Sequence, residues 1–289
     1  MSLASGYIMP STVDLHLHTL CSDGEFPPEE VVRQAASKGL RTIAIADHDT
    51  MAGIPQAMRS ARALSLRLIP AVEISCELAE GEVHLLGYFV DWDRDTPLSQ
   101  MLARFRASRT ERARAMLEKL ARLGMPLTWG EVEAFAGGES VGRPHVAQAL
   151  VARGYVQSVA EAFERYLFRG GPAYVPRFKL APEEAIALIH DSGGVAVLAH
   201  PLDIVEVIGW LAGEGLDGLE AYYPGYTPDV SAQIVAIAQR TGLIVTGGSD
   251  YHGPRVSPGI EIGSVDVPEA VVQALDERRS ALHGTRAAR

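Results

Sequence analysis

The sequence predicts an α/β fold in which helices surround a mostly parallel β-sheet and one helical segment interrupts the pattern. Short apolar runs alternate with amphipathic stretches along most of the chain, as in proteins with parallel sheets. Of the 289 residues 47% are hydrophobic, which is enough to form a large buried core. The length suits either one large α/β barrel or two smaller domains.

Seven apolar runs are predicted to be β-strands because Gly, Pro or polar residues bound each of them. In chain order they are Thr12–Leu17, Thr42–Ala46, Arg67–Ser75, Val83–Val90, Val195–Ala199, Gly218–Tyr222 and Leu243–Gly247. A hairpin turn at Ala79–Glu82 is expected to connect the third and fourth strands.

The amphipathic stretches between the strands are predicted to be helices. They are Pro28–Lys38, Ile54–Leu64, Pro182–Asp191, Asp229–Gln239 and Pro268–Leu282. Proline stands near several of these starts, and Gly39, Gly193 and Gly242 follow three of the ends, which is typical of helix boundaries.

Residues 99–175 break the alternation, because several helices follow one another there without a strand. The predicted helices are Ser99–Leu123, Trp129–Phe135, Arg143–Arg153 and Ser158–Phe168. Eleven Lys/Arg and seven Asp/Glu give this segment a net charge of +4, whereas the whole chain carries −10. We therefore predict an α/β body formed by residues 9–98 and 176–289, and a basic helical insertion at 99–175 that contributes substrate specificity.

Composition excludes several classes of protein. No stretch approaches the about 18 apolar residues of a membrane span, and the N-terminus lacks the basic and apolar regions of a secretory signal. Two cysteines, Cys21 and Cys76, are too few for a disulfide framework. We expect a cytoplasmic protein with no evident protein partner, whose acidic bulk surface does not bind polyanions.

Most of the nine histidines stand near the ends of predicted strands. His16 and His18 are two residues apart in the first strand and so point to the same side. Because the strand ends of a parallel barrel converge at one face, residues far apart in the sequence can form one cluster there. The predicted metal ligands are His16, His18, Asp23, His48, Glu73, His84, His200, Asp250 and His252. Nine such groups suit two or three divalent ions, with Mn favoured and Fe or Zn as alternatives.

Other polar residues near these strands have a structural interpretation. Asp14 and Asp49 are expected to orient ligating histidines rather than to bind an ion. His190, in a predicted helix, is expected to be structural, and His283 has no predicted role.

Several of these stretches carry a family resemblance. They are Asp14-Leu-His-Leu-His-Thr, Ala46-Asp-His-Asp-Thr50, Glu73, His84, Ala199-His-Pro201 and Gly248-Ser-Asp-Tyr-His252. They resemble the motifs of PHP (polymerase and histidinol phosphatase) domains over about Val13–Val90 and Tyr174–Ile262. The resemblance implies a distorted (β/α)7 barrel with a trinuclear metal site.

The resemblance also implies how the ligands are divided among three ions. His16, His18, Glu73 and Asp250 would hold one ion, Asp23, His48 and His252 a second, and Glu73, His84 and His200 a third, with Glu73 bridging. Clustered divalent ions make hydroxide available near neutral pH and neutralise phosphate oxygens, so this site suits phosphoester hydrolysis.

The helical insertion is similar to a narrower branch of the family. The stretches Gly142-Arg-Pro-His145 and Tyr166-Leu-Phe-Arg-Gly-Gly-Pro-Ala-Tyr-Val-Pro176 carry this similarity. Members of the branch remove the 3′-phosphate from 3′,5′-nucleoside bisphosphates such as pAp, and relatives trim short RNAs from the 5′ end. The resemblance implies a metal-dependent phosphomonoesterase whose substrate is a small anionic nucleotide, with short single-stranded RNA as a further candidate.

Basic residues in and after the insertion are candidates for substrate binding. With two residues of the metal cluster, the predicted set is Arg106, Arg109, Arg143, His145, Lys179, Asp23 and His48. Arg143 is favoured among them, because Gly142 and Pro144 predict a helix N-terminus suited to a phosphate. Either His200 or His145 is expected to protonate the leaving 3′-oxygen.

Three alternatives remain open at this stage. The same site could serve a 5′→3′ exoribonuclease or oligoribonucleotide phosphodiesterase, or a histidinol-phosphate phosphatase, although the latter needs no basic insertion. A non-catalytic metal-binding module would be marked by the loss of ligands, and every predicted ligand is present. The sequence contains neither a Walker loop nor a GxSxG elbow.

Overall fold

The computed structural model describes residues 11–78, 81–136, 141–176, 178 and 180–287. The described parts of Met1–Ser99 and Leu180–Arg289 form one compact unit, here called the barrel unit, and those of Gln100–Lys179 form a second, the helical unit. Lys179 and part of the predicted turn at Ala79–Glu82 lie outside the described residues. No described helix combines the length and the apolar character needed to cross a membrane.

Seven strands of the barrel unit form one sheet in chain order. They are β1 (Val13–Leu17), β2 (Thr42–Ile45), β3 (Arg67–Glu77), β4 (Glu82–Tyr88), β5 (Val195–Leu198), β6 (Gly218–Tyr222) and β7 (Ile244–Gly247). Neighbours are parallel, except that β4 is antiparallel to both β3 and β5. After β7, Tyr251 forms a parallel bridge with Leu17 of β1. The sheet therefore curves into a distorted barrel, which confirms the predicted fold class.

Ten α-helices and two shorter helical segments complete the described chain. The helices are α1 (Pro28–Ser37), α2 (Ile54–Ala63), α3 (Pro97–Arg122), α4 (Trp129–Ala136), α5 (Arg143–Ala152), α6 (Val159–Ala162), α7 (Pro182–Asp191), α8 (Ile208–Gly213), α9 (Pro228–Thr241) and α10 (Ala270–Ala287). A π-helix spans Phe163–Leu167 and a 3₁₀ helix spans Pro201–Val207. Proline at the first or second position of α1, α2, α7 and α9 fixes the starts of these helices.

One predicted helix differs from the structure, and two short helical segments were not predicted. The single helix predicted over Ser158–Phe168 is instead α6 followed by the π-helix, in which the amide of Phe168 donates to the carbonyl of Phe163 at 2.8 Å. The 3₁₀ helix and α8 were not predicted, because each is too short for an apolar period to show. His200 precedes them with a left-handed backbone (φ 31°), so the chain turns sharply after β5.

The helical unit has an apolar core of its own. Met116 and Leu120 of α3, Val132 of α4 and Leu150 of α5 are buried together in one cluster. Leu167, at the end of the π-helix, is fully buried in the same cluster. The described part of this unit contains helices and no strand, as the sequence predicts.

Candidate metal centre

The C-terminal ends of the parallel strands and the β3–β4 hairpin bring the nine predicted ligands together. His16 and His18 point to the same side of β1 and are both fully buried. On the hairpin, Glu73 and His84 stand diagonally opposite each other, since Ser75 pairs with His84. The remaining members follow β1, β2, β5 and β7: Asp23, His48, His200, Asp250 and His252.

Glu73 lies at the centre of the cluster. Its Oε2 is 3.3 Å from Nε2 of His16, 3.3 Å from Nε2 of His18 and 3.0 Å from Nδ1 of His48. Its Oε1 is 2.9 Å from Nδ1 of His84 and 3.4 Å from Nε2 of His200. A single buried carboxylate therefore contacts five imidazoles, which is the geometry of a bridging ligand.

Four buried polar atoms of this cluster have no hydrogen-bond partner. They are Nε2 of His16, Nε2 of His18, Nδ1 of His48 and Oε2 of Glu73. Buried polar atoms are almost always hydrogen-bonded, and these four approach one another without hydrogen-bond geometry. Imidazole nitrogens and carboxylate oxygens are also the donors that Mn, Fe and Zn prefer. The residues present therefore fit a group of divalent cations.

Three sets of side chains have ligand atoms close enough to hold an ion. They are His16, His18, Glu73 and Asp250; His18, Asp23, His48 and His252; and His48, Glu73 and His84. Each pair of sets shares one residue: His18, Glu73 or His48. A carboxylate has two oxygens and can bridge two ions, whereas a neutral imidazole offers one lone pair and can ligate only one.

The electrostatics of the cluster favour positive charge beside its carboxylates. Burial alone would lower the pKa of His18, but the carboxylates of Asp250 and Glu73 raise it to about 9. Burial alone would also lower the pKa of His84, but Glu73 and Glu82 raise it to about 10. Conversely, although burial alone would raise it, neighbouring histidines hold the pKa of the Asp250 carboxyl well below its usual range. Bound divalent ions would supply the positive charge that these carboxylates favour.

Glu220 of β6, which the sequence analysis missed, holds two members of the cluster. Its Oε1 is 2.9 Å from Nδ1 of His16, and its Oε2 accepts a hydrogen bond from the backbone amide of His200 at 2.9 Å. The side chain is fully buried. Because a carboxylate only accepts, Nδ1 of His16 carries the proton and Nε2 keeps a lone pair for an ion. A carboxylate within the otherwise apolar run Gly218–Tyr222 was the available sequence signal.

Asp14 contacts the backbone of His16 rather than its imidazole, because its Oδ1 accepts from the His16 amide at 3.4 Å. Its carboxylate accepts hydrogen bonds from the backbone amides of Ser249 and Gly263, at 2.9 and 2.8 Å, and so connects β1 to the chain after β7. Asp49 accepts from the amide of Ser75 at 3.0 Å, which joins the end of β2 to β3. Glu220 has the orienting role for His16.

Tyr223 is a second residue that the sequence analysis missed. Its hydroxyl donates to Oδ2 of Asp250 at 2.8 Å, while Oδ1 of Asp250 faces His18 at 3.1 Å. Its ring lies 5.5 Å from the ring of His200. The signal was its position directly after β6, at the same barrel end as the other site residues.

Three non-glycine residues that follow β2, β5 and β7 have a left-handed backbone, as does Phe89 directly after β4. The φ angles are 53° for Asp49, 31° for His200 and 50° for Asp250. Such conformations are costly for side chains other than glycine and concentrate at functional sites. Here they follow β2, β5 and β7, where they set the direction in which each side chain leaves its strand.

The predicted substrate-binding residues outside the cluster belong to the helical unit. Arg143 begins α5; its Nη1 donates to the carbonyl of Leu167 at 3.5 Å and its guanidinium lies 5.7 Å from the ring centre of Phe163. Nδ1 of His145 accepts from the amide of Gly142 at 3.0 Å, and burial lowers the His145 pKa. Both residues thus have structural contacts within the unit.

The other basic candidates differ in exposure. Arg106 on α3 is exposed and Arg109 is partly buried, whereas Lys179 lies outside the described residues. Their proposed contacts with substrate stay predictions.

The strand ends of the barrel present imidazoles and carboxylates that fit divalent ions. Together with its similarity to known proteins, this arrangement defines a metal-dependent phosphoesterase. The PHP domain family matches residues 14–128. A 5′-3′ exoribonuclease, Rnm, of Salmonella typhimurium is 37% identical over 86% of this chain and 87% of its own length. A 3′,5′-nucleoside bisphosphate phosphatase of Chromobacterium violaceum is 31% identical over 84% of this chain and 88% of its own length.

Solved structures agree with this assignment. The structure of a proposed metal-dependent phosphoesterase from Bifidobacterium adolescentis has a TM-score of 0.78 and 34% identity, covering 93% of this chain and 98% of that one. The chain belongs to the PHP family, as the sequence motifs predict, and it is a metal-dependent phosphoric ester hydrolase.

Proposed function

We propose that this enzyme removes the 3′-phosphate from 3′,5′-nucleoside bisphosphates, converting pAp to AMP and phosphate with the aid of two or three Mn²⁺ ions. The observation that carries the metal-dependent chemistry is the group of four unpartnered buried atoms around Glu73. The choice of substrate is supported by the bisphosphate phosphatase of C. violaceum, which resembles this chain over most of its length.

Because each neutral imidazole can ligate only one ion, the histidines must be divided among the ions. If His18 joins His16, Glu73 and Asp250, then His48 is left for the ion held with Asp23 and His252. His84 and His200, which both approach Oε1 of Glu73, remain for a third ion. Glu73 is thus the bridging carboxylate in this assignment.

The bound ions would activate water and neutralise phosphoryl oxygens. Three divalent ions beside the carboxylates of Asp23, Glu73 and Asp250 would leave an excess of about +3, by formal charge counting. That excess accounts for the binding of an anionic nucleotide by a chain whose net charge is −10.

Other side chains are assigned to the remainder of the substrate. Arg143 would bind the phosphate that is not cleaved, with Arg106, Arg109, His145 and Lys179 as further candidates from the same segment. His145 would protonate the leaving 3′-oxygen, or His200 would do so where its ring does not hold an ion. The backbone of His200 is held by Glu220, which fixes where its ring can reach.

A second candidate is hydrolysis of short 5′-phosphorylated RNA from its 5′ end. Both reactions break the bond between phosphorus and the 3′-oxygen of a nucleotide and release a 5′-mononucleotide. They differ only in whether the cleaved phosphate carries a further nucleotide. The 37% identity with the S. typhimurium exoribonuclease favours this candidate.

A phosphate-release and product-separation assay with Mn²⁺ distinguishes the candidates. The substrates are pAp, the dinucleotide pApA, AMP and histidinol phosphate, and Asp250→Ala is the inactive control. We expect pAp to have the highest kcat/KM. Preference for pApA would assign the exoribonuclease activity, and preference for histidinol phosphate, or no turnover of any of the four by metal-loaded protein, would overturn the nucleotide assignment.

A further inference from the structure

A groove of about 540 Å³ lies beside α9, and one of its lining residues, Tyr223, contacts the metal cluster. Three tyrosines at or shortly after the end of β6 line this groove, Tyr222, Tyr223 and Tyr226, and Tyr223 donates its hydroxyl to Asp250. One residue therefore belongs to both the groove wall and the surroundings of the metal cluster. The groove and the metal cluster both lie within the barrel unit.

The rings of His200, Tyr223 and Tyr226 are successive neighbours between the metal cluster and this groove. The ring of Tyr223 lies 5.5 Å from that of His200 and 5.2 Å from that of Tyr226. Tyr226 is held in place because its hydroxyl accepts a hydrogen bond from the amide of Leu202 at 3.2 Å. Pro228 and Val235 of α9 also line the groove and give it apolar surface.

The chemistry of the lining excludes a phosphate as the natural occupant. Among the described residues that line the groove there is no Lys, Arg or His. The polar groups are a few neutral or acidic side chains, namely Ser231, Gln239 and Asp266. Tyrosine rings beside an apolar wall with few hydrogen-bonding groups suit a flat, uncharged heteroaromatic ring.

We propose that the tyrosine-lined part of this groove binds the nucleobase of the nucleotide whose 3′-phosphoester is cleaved, with the base stacked on Tyr226. This inference rests on the proposed function, because it places the phosphate at the metal cluster and the base on the same nucleoside. Base–aromatic stacking tolerates all four bases, so the subsite contributes affinity for nucleotides without strong base preference.

The first test compares substrates with and without a base. Tyr226→Leu removes the ring, Tyr226→Phe keeps it, and Trp210→Leu removes an exposed ring that does not line the groove. Loss of one stacking contact is expected to raise KM for pAp about 5- to 150-fold in Tyr226→Leu, with little change in kcat. The abasic analogue of pAp, a ribose 3,5-bisphosphate with hydrogen in place of the base, should be turned over equally by the wild type and the three variants. An equal loss on both substrates, or no loss on pAp, would overturn the subsite.

The second test does not depend on which substrate is hydrolysed. Binding of AMP and of ribose 5-phosphate to Mn²⁺-loaded protein is measured by equilibrium dialysis. The wild type and Tyr226→Phe should bind AMP more tightly than ribose 5-phosphate, and Tyr226→Leu should lose this difference. If wild-type protein binds the two probes equally, the base subsite is wrong. If that difference is present but pAp is not hydrolysed, the proposed function fails while the subsite stands.

Discussion

Replacement of Glu220 by glutamine is expected to impair metal binding through the proton position on His16. The carboxylate accepts two hydrogen bonds, one from Nδ1 of His16 and one from the amide of His200, both at 2.9 Å. A glutamine amide has only one oxygen. The backbone amide of His200 can only donate, so the oxygen stays there and the NH₂ group faces His16. His16 must then accept at Nδ1 and carry its proton on Nε2, the atom that faces Glu73 and Asp250.

The magnitude follows from what the substitution changes. Loss of a carboxylate that orients a ligating histidine typically weakens metal affinity about 10- to 100-fold. We expect this loss in the Kd for Mn²⁺, measured by titration calorimetry on metal-free protein, and an increase in the Mn²⁺ concentration needed for half-maximal activity. Saturating Mn²⁺ should restore much of kcat.

Asp217→Asn is the matched control, because Asp217 is an equally buried carboxylate with a structural role. It accepts from Nε2 of His190 at 2.8 Å and from Nε of Arg278 at 2.7 Å. This variant should lower the thermal unfolding temperature and leave Mn²⁺ affinity unchanged. Wild-type Mn²⁺ affinity in Glu220→Gln, or an equal loss in Asp217→Asn, would refute the reasoning.

Three further predictions concern the metals and the substrate. Elemental analysis should find more than one Mn, Fe or Zn per chain, and Asp250→Ala should lose metal and most activity; full turnover by metal-free protein would contradict the metal assignment. In metal-free protein the pKa values of His18 and His84 are raised to about 9 and 10, and bound protons must leave before an ion binds. Calorimetric Mn²⁺ affinity should therefore rise as the pH increases from about 7 toward these pKa values, and a pH-independent affinity would count against proton competition. Arg143→Ala should reduce kcat/KM for pAp about 10- to 150-fold and leave an aryl monophosphate unaffected; an equal loss on both, with a lower unfolding temperature, would assign Arg143 to the fold.

The sequence was sufficient for features that depend on local pattern. The strands that carry His16 and Glu73, and the strand that precedes His200, were predicted to within a few residues, because each apolar run has clear boundaries. Convergence of their ends follows from the topology of parallel strands, so the cluster could be predicted without coordinates.

Features that depend on tertiary neighbours could not be predicted in this way. Glu220 stands inside a strand rather than at its end, and nothing local indicates that it faces His16. Asp14 stands beside His16 in the sequence, yet its carboxylate contacts the backbone of distant residues. The shared position of Tyr223, between the groove and Asp250, likewise arises only when β6 and β7 pair.

The left-handed residues at the strand ends have a consequence for how this protein can be improved or can evolve. Each such residue costs about 1–3 kcal/mol relative to a relaxed backbone. Glycine at His200 or Asp250 would relieve that strain and remove a predicted metal ligand, so a screen that rewards heat resistance alone would favour variants with a damaged site. Stabilising changes are better sought elsewhere, for example on the exposed faces of α9 and α10. At His200 and Asp250, selection for thermostability and selection for catalysis act in opposite directions.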